Sequence, residues 1–492
     1  MNDNKKIIEE LKESLPLTTA NMLPPAGGDG DKTAPKKEVS STSSPASSSQ
    51  TEKPPESGSF LTQEREGLLS AFMGSGRTSS AAEPDTDTDA GEYPPLSTLV
   101  HGEIHGDDDF GFFHMKKNYP LTYHVGEIPL SLGLQCRGEQ LALSACDKGL
   151  KDINPLKSCY IDTETTGLAG GAGTAAFLIG LGYYRNTGFV LEQCFMRDYD
   201  DEGAVLAYLA EKFLEFDCLV SFNGKSFDLP LLRARFVQNR LNDPFEHLAH
   251  YDLVHAVRRV WKQRLGDCSL KNIERSILDF HRVDDVPGFA IPNIWFYFLE
   301  SGDPRALPGV FEHNALDIVS LGALAGHLSE SLAASEGSAF YHAEDRLSVI
   351  RLYYKNKEYE AVVEQGQQFL DEFAIADDLR RECLHLTGQS WKRLRRFDEM
   401  FNTWKILHEE FPKDCVGAAE LAKFLEHQFR NPKAAAEICE ESLQAIERSE
   451  GIAGLSGDYR VSTLRGRLNR LRAKIEKQRK PKQWQSGDIF ED

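Results

Sequence analysis

The chain of 492 residues lacks the long hydrophobic runs of membrane proteins. No stretch reaches the roughly 18 consecutive apolar residues of a transmembrane helix, although hydrophobic residues make up 40% of the composition. The opening stretch MNDNKKIIEELKESL carries charges, but the apolar segment of a secretory signal does not follow them. We therefore expect no membrane span and no secretory leader.

Cysteine pairs with the spacing of a metal or redox site are also absent. The nine cysteines are scattered, odd in number and never arranged as C-x-x-C. This pattern argues against a zinc ribbon and against a disulfide framework. A reducing compartment suits such cysteines, so we expect a cytoplasmic protein.

Basic residues are fewer than acidic residues. Lys and Arg total 56 against 76 Asp and Glu, which gives a formal net charge of −20. This balance excludes a uniformly basic nucleic-acid coat protein. It remains compatible with an acidic active site that handles nucleic acid through metal ions.

Composition and hydrophobic periodicity divide the chain. Residues 1–97 are rich in Ser, Thr, Pro and Gly, with too little apolar surface to offset chain entropy, and are predicted to be a disordered tail. Residues 98–154 contain the strand-like runs FGFFHMKKNY, LTYHVGEIPLSL and EQLALSA, which predict a small β-rich lead-in packed on the next domain. Residues 155–330 alternate strands and helices, which predicts an α/β fold with a mixed sheet and flanking helices.

The remainder is predicted to be helical. In residues 340–450 the spacing of a tetratricopeptide repeat, G-x2-Y…A-x3-F…P, is matched by Gly388, Trp391, Met400, Trp404 and Pro412. Repeats of this kind would offer a groove to a protein partner, and a generic helical bundle is the alternative. Residues 451–492 are predicted to form a basic C-terminal helix and tail.

Two carboxylates at the end of the first strand of the α/β region suggest a metal site. Asp162 and Glu164 follow the apolar run Cys159–Ile161 and lie two residues apart, so they face the same side of a strand. Two carboxylates at a buried strand end repel each other, and a hard cation would relieve that repulsion. D-x-E alone is a common pattern, so this assignment depends on further motifs.

Further acids fall at two other places. Asp228 closes the segment NGKSFD and opens a predicted helix, where an N-cap is the alternative role. His313 and Asp317 stand four residues apart on a late helix and share one face. Taken alone, that helix is an ordinary amphipathic one.

In this order, the three motifs resemble the DEDD superfamily of 3′→5′ exonucleases on the ribonuclease H-like fold. The chain is most similar to the YprB-like ribonuclease H-like family, over roughly residues 100–330, with tetratricopeptide-like repeats following. The resemblance also rests on GLAGGAGTAAFLIGLGYY (167–184), RLGDCSLKNIERSIL (264–278), DDVPGFAIP (284–292), GDPRAL (302–307) and EHNALDIVSL (312–321).

The resemblance implies a metal-dependent 3′→5′ exonuclease that hydrolyses DNA or RNA with two metal ions. It makes Asp162, Glu164, Asp228 and Asp317 the ligands of two Mg²⁺ or Mn²⁺ ions. Carboxylate ligands without a cysteine or histidine cluster favour magnesium.

The same resemblance implies that the terminal nucleotide is held just after the first motif, by Thr165, Gly167 and Leu168. Asn223 is a further candidate for substrate contact. The helical run HAVRRVWKQRL carries Arg258, Arg259 and Lys262, which could contact phosphates without reading sequence.

His313 departs from the family pattern. In these enzymes the general base is a Tyr with three residues between it and the last acid, or a His with four; here a His has three. An imidazole there could orient or deprotonate the attacking water, or act indirectly. Two alternatives stay open. The first is a scaffold that has weak or vestigial nuclease activity and binds nucleic acid or a protein partner. The second, which the lack of a polymerase-like domain disfavours, is a proofreading subunit.

Overall fold

The computed structural model describes residues 93–107, 110–167, 173–333, 340–372, 375–454 and 458–479. The predicted disordered tail therefore lies almost entirely outside the described residues. Two compact units are distinguished: Pro95–His281 with Pro304–Asp492, and Met1–Pro94 with Arg282–Asp303. None of the helices in the described ranges is both long enough and apolar enough to cross a bilayer.

A seven-stranded mixed sheet lies at the centre of the first unit, in the order β1-β2-β7-β6-β5-β8-β9. Its strands are β1 (Gly102–Gly106), β2 (Gly111–Tyr119), β5 (Ser158–Thr165), β6 (Ala176–Arg185), β7 (Gly188–Phe195), β8 (Cys218–Ser221) and β9 (Ala249–Asp252). The short strands β3 (His124–Val125) and β4 (Ile128–Pro129) pair with each other.

The direction of each strand follows from its connection. β6 and β7 form a tight hairpin closed by the pair Arg185↔Gly188, and β5 pairs antiparallel with β6. β8 and β9 run parallel to β5, because helices connect them. β6 and β7 are buried almost throughout, which explains their nearly continuous hydrophobic sequences.

Sixteen α-helices are assigned in the described ranges. The first nine are α1 (Leu96–Leu99), α2 (Ser131–Leu134), α3 (Gly138–Ala145), α4 (Glu202–Lys212), α5 (Asp228–Gln238), α6 (Leu253–Leu265), α7 (Leu270–Ile277), α8 (Ile291–Ser301) and α9 (Leu307–Ala333). The C-terminal seven are α10 (Ala343–Asn356), α11 (Tyr359–Leu370), α12 (Asp377–Arg393), α13 (Phe397–Glu410), α14 (Cys415–His427), α15 (Pro432–Gly454) and α16 (Tyr459–Arg479).

Helix α9 packs against β5, β6 and β7. Two glycines of β6 permit this close approach: a Cβ on Gly182 would lie 2.4 Å from Ile318 Cγ2, and one on Gly180 would lie 2.2 Å from Asn314 Oδ1. Helix α4 covers the opposite face, where Tyr208 donates a hydrogen bond to Glu192 of β7. The predicted fold class, a mixed α/β sheet with flanking helices followed by an all-α region, is confirmed.

The segment before the α/β region differs from the prediction in two ways. Strands β1 and β2 extend the main sheet, with β2 antiparallel to β7, so they continue the same layer. The run EQLALSA forms helix α3, and its interpretation as strand-like was wrong. A short apolar run has no periodicity that separates a strand from a buried helix; here packing against α6 decides.

Each C-terminal helix from α10 to α16 contacts the next along the chain. Gly388 of α12 marks one close approach, since a Cβ there would lie 2.8 Å from the Trp404 ring of α13. The basic helix α16 buries Leu464, Leu468 and Leu471 in a core shared with α14 and α15.

The second unit contributes the described residues Arg282–Asp303. Its helix α8 is capped by the following residue, Gly302, which has a φ of 70° and so adopts the left-handed conformation that glycine favours. Arg282 and Asp285 form an ion pair at 3.6 Å between nitrogen and oxygen, with both side chains buried.

Candidate functional site

Asp162 lies on β5, and its carboxyl group is strongly perturbed. Burial raises its pKa well above the ordinary range, and the neighbouring acids Asp317, Glu164 and Asp228 raise it further. A hydrogen bond from Asn314 opposes the shift. Three other acids are therefore the charges that act most on Asp162. The most distant of them in the sequence, Asp317, is 155 positions away.

Glu164, His313 and Asp317 form a tight cluster. Each offers one ligand atom, and these atoms all lie within 4.8 Å of one another. His313 Nε2 lies 3.8 Å from Asp317 Oδ2, as expected for residues one helical turn apart. All three are half-buried, so the cluster is partly open to solvent.

Asp228 is the first residue of α5 and approaches β5 from the side of β8. Its Oδ1 accepts a 2.6 Å hydrogen bond from Thr163 Oγ1. Burial raises the pKa of Asp228, the Thr163 hydrogen bond opposes that shift, and the charge of Asp252 adds to it. Asp228 is helical and its side chain faces β5, so it does not act as the N-cap, a position that Phe227 occupies.

The turn that leads to Asp228 is held by the buried carboxylate of Asp252. Its oxygens accept backbone hydrogen bonds from Asn223 (2.7 Å), Lys225 (3.1 Å) and Val254 (3.2 Å). Asn223 has a φ of 71°, and Gly224 leaves no room for a side chain, since a Cβ there would lie 2.5 Å from Ser221 Oγ. One carboxylate therefore fixes the turn and caps helix α6.

A row of polar side chains behind the acids, formed by Asn314 and Gln193, was not predicted from the sequence. In the sheet register Asp162 pairs with Gly180, and Gly180 pairs with Gln193. Asn314 lies over Gly180; its Nδ2 donates to Asp162 Oδ2 at 2.9 Å, and its Oδ1 accepts from Gln193 Nε2 at 2.8 Å. The only sequence signals were an Asn between His313 and Asp317 and a glycine in an apolar strand.

The predicted substrate contacts fall in different environments. Thr165 and Gly167 follow the acids, and Thr165 Oγ1 donates to the Gly167 carbonyl at 3.1 Å. Leu168 lies outside the described residues. Asn223, Arg258 and Lys262 line one pocket, whereas the guanidinium of Arg259 donates to the carbonyl of Ser144 at 2.9 Å.

The donor set fits divalent cations. Glu164 and Asp317 bring carboxylate oxygens into one cluster, and both they and Asp228 act electrostatically on Asp162. Mg²⁺ and Mn²⁺ prefer oxygen ligands. The raised pKa values of Asp162 and Asp228 show that ionising these groups is costly without a compensating positive charge. A divalent cation would supply that charge.

Comparison with known proteins places residues 159–329 in a family described as the RNase H superfamily. A Bacillus subtilis (strain 168) protein, described as "Uncharacterized protein YprB", is 30% identical over 298 residues, which span 60% of this chain and 70% of that protein. The family B DNA polymerase of Pyrobaculum calidifontis aligns with 13% identity and a TM-score of 0.29. That alignment spans 59% of this chain and 38% of the polymerase chain.

Proposed function

The chain belongs to the YprB-like family with a ribonuclease H-like domain, and on that premise we propose that it is a metal-dependent nuclease. Its substrate would be the phosphodiester backbone of DNA or RNA. The proposal includes two Mg²⁺ or Mn²⁺ ions and removal of nucleotides from the 3′ end.

The observation that carries the proposal is the gathering of three acids, Glu164, Asp228 and Asp317, around the desolvated carboxyl of Asp162. Without a cation, this arrangement opposes the ionisation of its own carboxyl groups, because burial and neighbouring negative charges both favour the protonated form. This same observation argues against the alternative of a scaffold with vestigial activity, because all four acids are present and three of them act on the fourth.

The ligands of the proposed ions are Asp162, Glu164, Asp228 and Asp317. When bound, two divalent ions stabilise the negative charge that develops on the phosphate oxygens during hydrolysis. Asn314 would keep the Asp162 carboxylate oriented, and Thr163 would do the same for Asp228, through their hydrogen bonds.

His313 is the proposed acceptor of the proton released by the attacking water. Its imidazole lies within the cluster of Glu164 and Asp317 and is half-buried. A positioned general base of this kind contributes about 10²–10⁴-fold to a rate. Thr165, Gly167 and Leu168 are proposed to hold the 3′-terminal nucleotide beside the acids.

The test is degradation of 5′-labelled single-stranded DNA and RNA by the purified chain with Mg²⁺, Mn²⁺ or EDTA. We expect a ladder that shortens from the 3′ end with either metal and no cleavage in EDTA. Asp162→Asn and Asp317→Asn should abolish the ladder, whereas Asp398→Asn, an exposed acid of α13, should not. An intact substrate with both metals, or equal cleavage by Asp162→Asn, would contradict the proposal.

A further inference from the structure

A pocket of about 440 Å³ lies on the turn that leads to Asp228. Its volume falls within the roughly 300–1,000 Å³ typical of ligand sites. The lining residues come from the turn, from helix α6 and from the connection into α7: Phe222, Asn223, Val254, Arg258, Lys262, Gly266, Asp267, Cys268 and Ser269.

Positive charge dominates the lining. Arg258 and Lys262 lie one turn apart on α6, and both are exposed. Within the described ranges, neither side chain makes a hydrogen bond or an ion pair. The one acid of the lining, Asp267, is already engaged, since its carboxylate accepts from Ser269 N at 2.9 Å and from Ser269 Oγ at 2.8 Å.

The pocket and the acids share one structural element. Asn223 lines the pocket, and the adjacent Gly224 faces Asp228, since a Cβ there would lie 3.2 Å from Asp228 Oδ2. Asp252 holds this turn through the backbone nitrogens of Asn223 and Lys225. The pocket and Asp228 are therefore joined by one hydrogen-bonded turn.

Arg259 provides an internal contrast. It neighbours Arg258 in the sequence, but its guanidinium donates to the carbonyl of Ser144. The four cations of α6 therefore divide into two that face the pocket, Arg259, which holds the helix to α3, and Arg264, which pairs with Asp345 of α10. Two unpaired cations beside a cluster of acids suit an anionic ligand. One group of such a ligand would contact the cations, and the group next to it would reach the acids.

We propose that this pocket binds a nucleotide of the substrate strand next to the scissile bond, with Arg258 and Lys262 on its phosphate. The inference rests on the proposed nuclease function and specifies its substrate class. The substrate is a polynucleotide of two or more phosphodiesters, and its binding is insensitive to base sequence because the contacts are to phosphate.

The test is binding of a fluorescein-labelled single-stranded dodecamer, as DNA and as RNA, followed by anisotropy in EDTA so that the strand stays intact. The variant is Arg258→Ala/Lys262→Ala. The matched control is Arg393→Ala/Lys433→Ala, which also removes one exposed Arg and one exposed Lys, here from α12 and α15. Thermal melting of each variant checks that the fold is retained.

We expect the pocket variant to bind about tenfold more weakly than the control. The slope of log K against log salt should become shallower by about 1.4, or roughly 0.7 for each lost phosphate contact. A dissociation constant within twofold of the control would overturn the inference. Displacement of the strand from the wild type by millimolar inorganic phosphate at constant ionic strength would also overturn it, because the pocket would then hold free phosphate.

The nuclease proposal and the pocket assignment are refuted by different results. A protein that binds the dodecamer through Arg258 and Lys262 but leaves it intact with Mg²⁺ and Mn²⁺ would refute the nuclease proposal. The strand-binding assignment of the pocket would survive that outcome. A protein that cleaves the strand while the pocket variant binds like the control would refute only the pocket.

Discussion

Asn314 Nδ2 donates a hydrogen bond to Asp162 Oδ2 at 2.9 Å, between residues 152 positions apart in the chain. The orientation of this amide follows from Gln193, whose Nε2 donates to Asn314 Oδ1 at 2.8 Å and to the Phe311 carbonyl at 2.9 Å. Because Gln193 presents a donor to the amide oxygen, the amide nitrogen faces the acid. The helix that carries His313 and Asp317 is therefore joined to the strand that carries Asp162 by a directional contact.

Asn314→Ala is expected to weaken metal binding. It removes the hydrogen bond that stabilises ionised Asp162, and loss of such an orienting partner typically costs about 10–100-fold in metal affinity. Calorimetric titration with Mn²⁺ measures the effect. Asn356→Ala is the control, because Asn356 also donates inside the fold, to the Leu143 carbonyl, far along the chain from the acids. Equal Mn²⁺ affinity in the two variants would contradict this role.

Gly180→Ala is expected to destabilise the fold by about 1–3 kcal/mol, the usual cost of overpacking. The added Cβ would lie 2.2 Å from Asn314 Oδ1, inside a buried strand that cannot shift freely. Urea unfolding measures the change. Gly466→Ala in α16 is the control, since nothing lies within 4 Å of its Cβ, and it should leave stability unchanged or raise it by up to about 1 kcal/mol.

The raised pKa of Asp162 predicts a pH-dependent stability of the metal-free protein. The folded state holds this proton more tightly than the unfolded chain does, so ionisation of Asp162 destabilises the fold. The free energy of unfolding should fall as pH rises from the ordinary carboxyl range, about 3.9, through the raised pKa.

Asp162→Asn removes that ionisation. In EDTA, the stability of this variant relative to the wild type should therefore grow as pH rises from about 3.9 through the raised pKa of Asp162. Adding Mn²⁺ at the upper pH should stabilise the wild type more than the variant. Urea denaturation across the pH range is the measurement, and parallel curves for the two proteins would disprove the linkage.

His313→Asn separates two roles for the imidazole. As an acceptor of the water proton, its loss should lower kcat by about 10²–10⁴-fold while the Mn²⁺ affinity stays within about threefold. As a ligand beside Glu164 and Asp317, its loss should instead weaken Mn²⁺ binding. Single-turnover cleavage together with Mn²⁺ titration decides, and we expect the first result.

Asp252→Ala is expected to destabilise the protein by about 2–4 kcal/mol, because three backbone donors lose their acceptor in a buried place. The turn from Asn223 to Asp228 should loosen as well. Amide hydrogen exchange of Asn223 and Lys225 reports on this, and unchanged protection would contradict the assignment. Asp267→Ala is the control, because the Asp267 carboxylate accepts its hydrogen bonds from Ser269 in an exposed turn.

Much of the ribonuclease H-like region could be predicted from the sequence. Strands β5 to β8 and helices α4, α5 and α9 were predictable because hydrophobic period and turn residues act over a few positions. Strand alternation predicted that Asp162 and Glu164 face the same side, whereas their meeting with Asp317 was implied by the resemblance to the DEDD superfamily. The resemblance to the YprB-like family, stated from those motifs, is confirmed by the comparison.

The tertiary structure decided what depends on register and packing. Gly180 matters because it pairs with both Asp162 and Gln193 in the sheet, and no local pattern specifies that pairing. Arg258 and Arg259 are adjacent residues of one type, yet only the contact of α6 with Ser144 distinguishes them. The sequence by itself indicated which acids could hold metal, because the motifs that carry them stand in the order that resembles the DEDD superfamily. Which neighbours orient them was decided only by folding, since Asn314 and Gln193 meet across 121 positions of the chain.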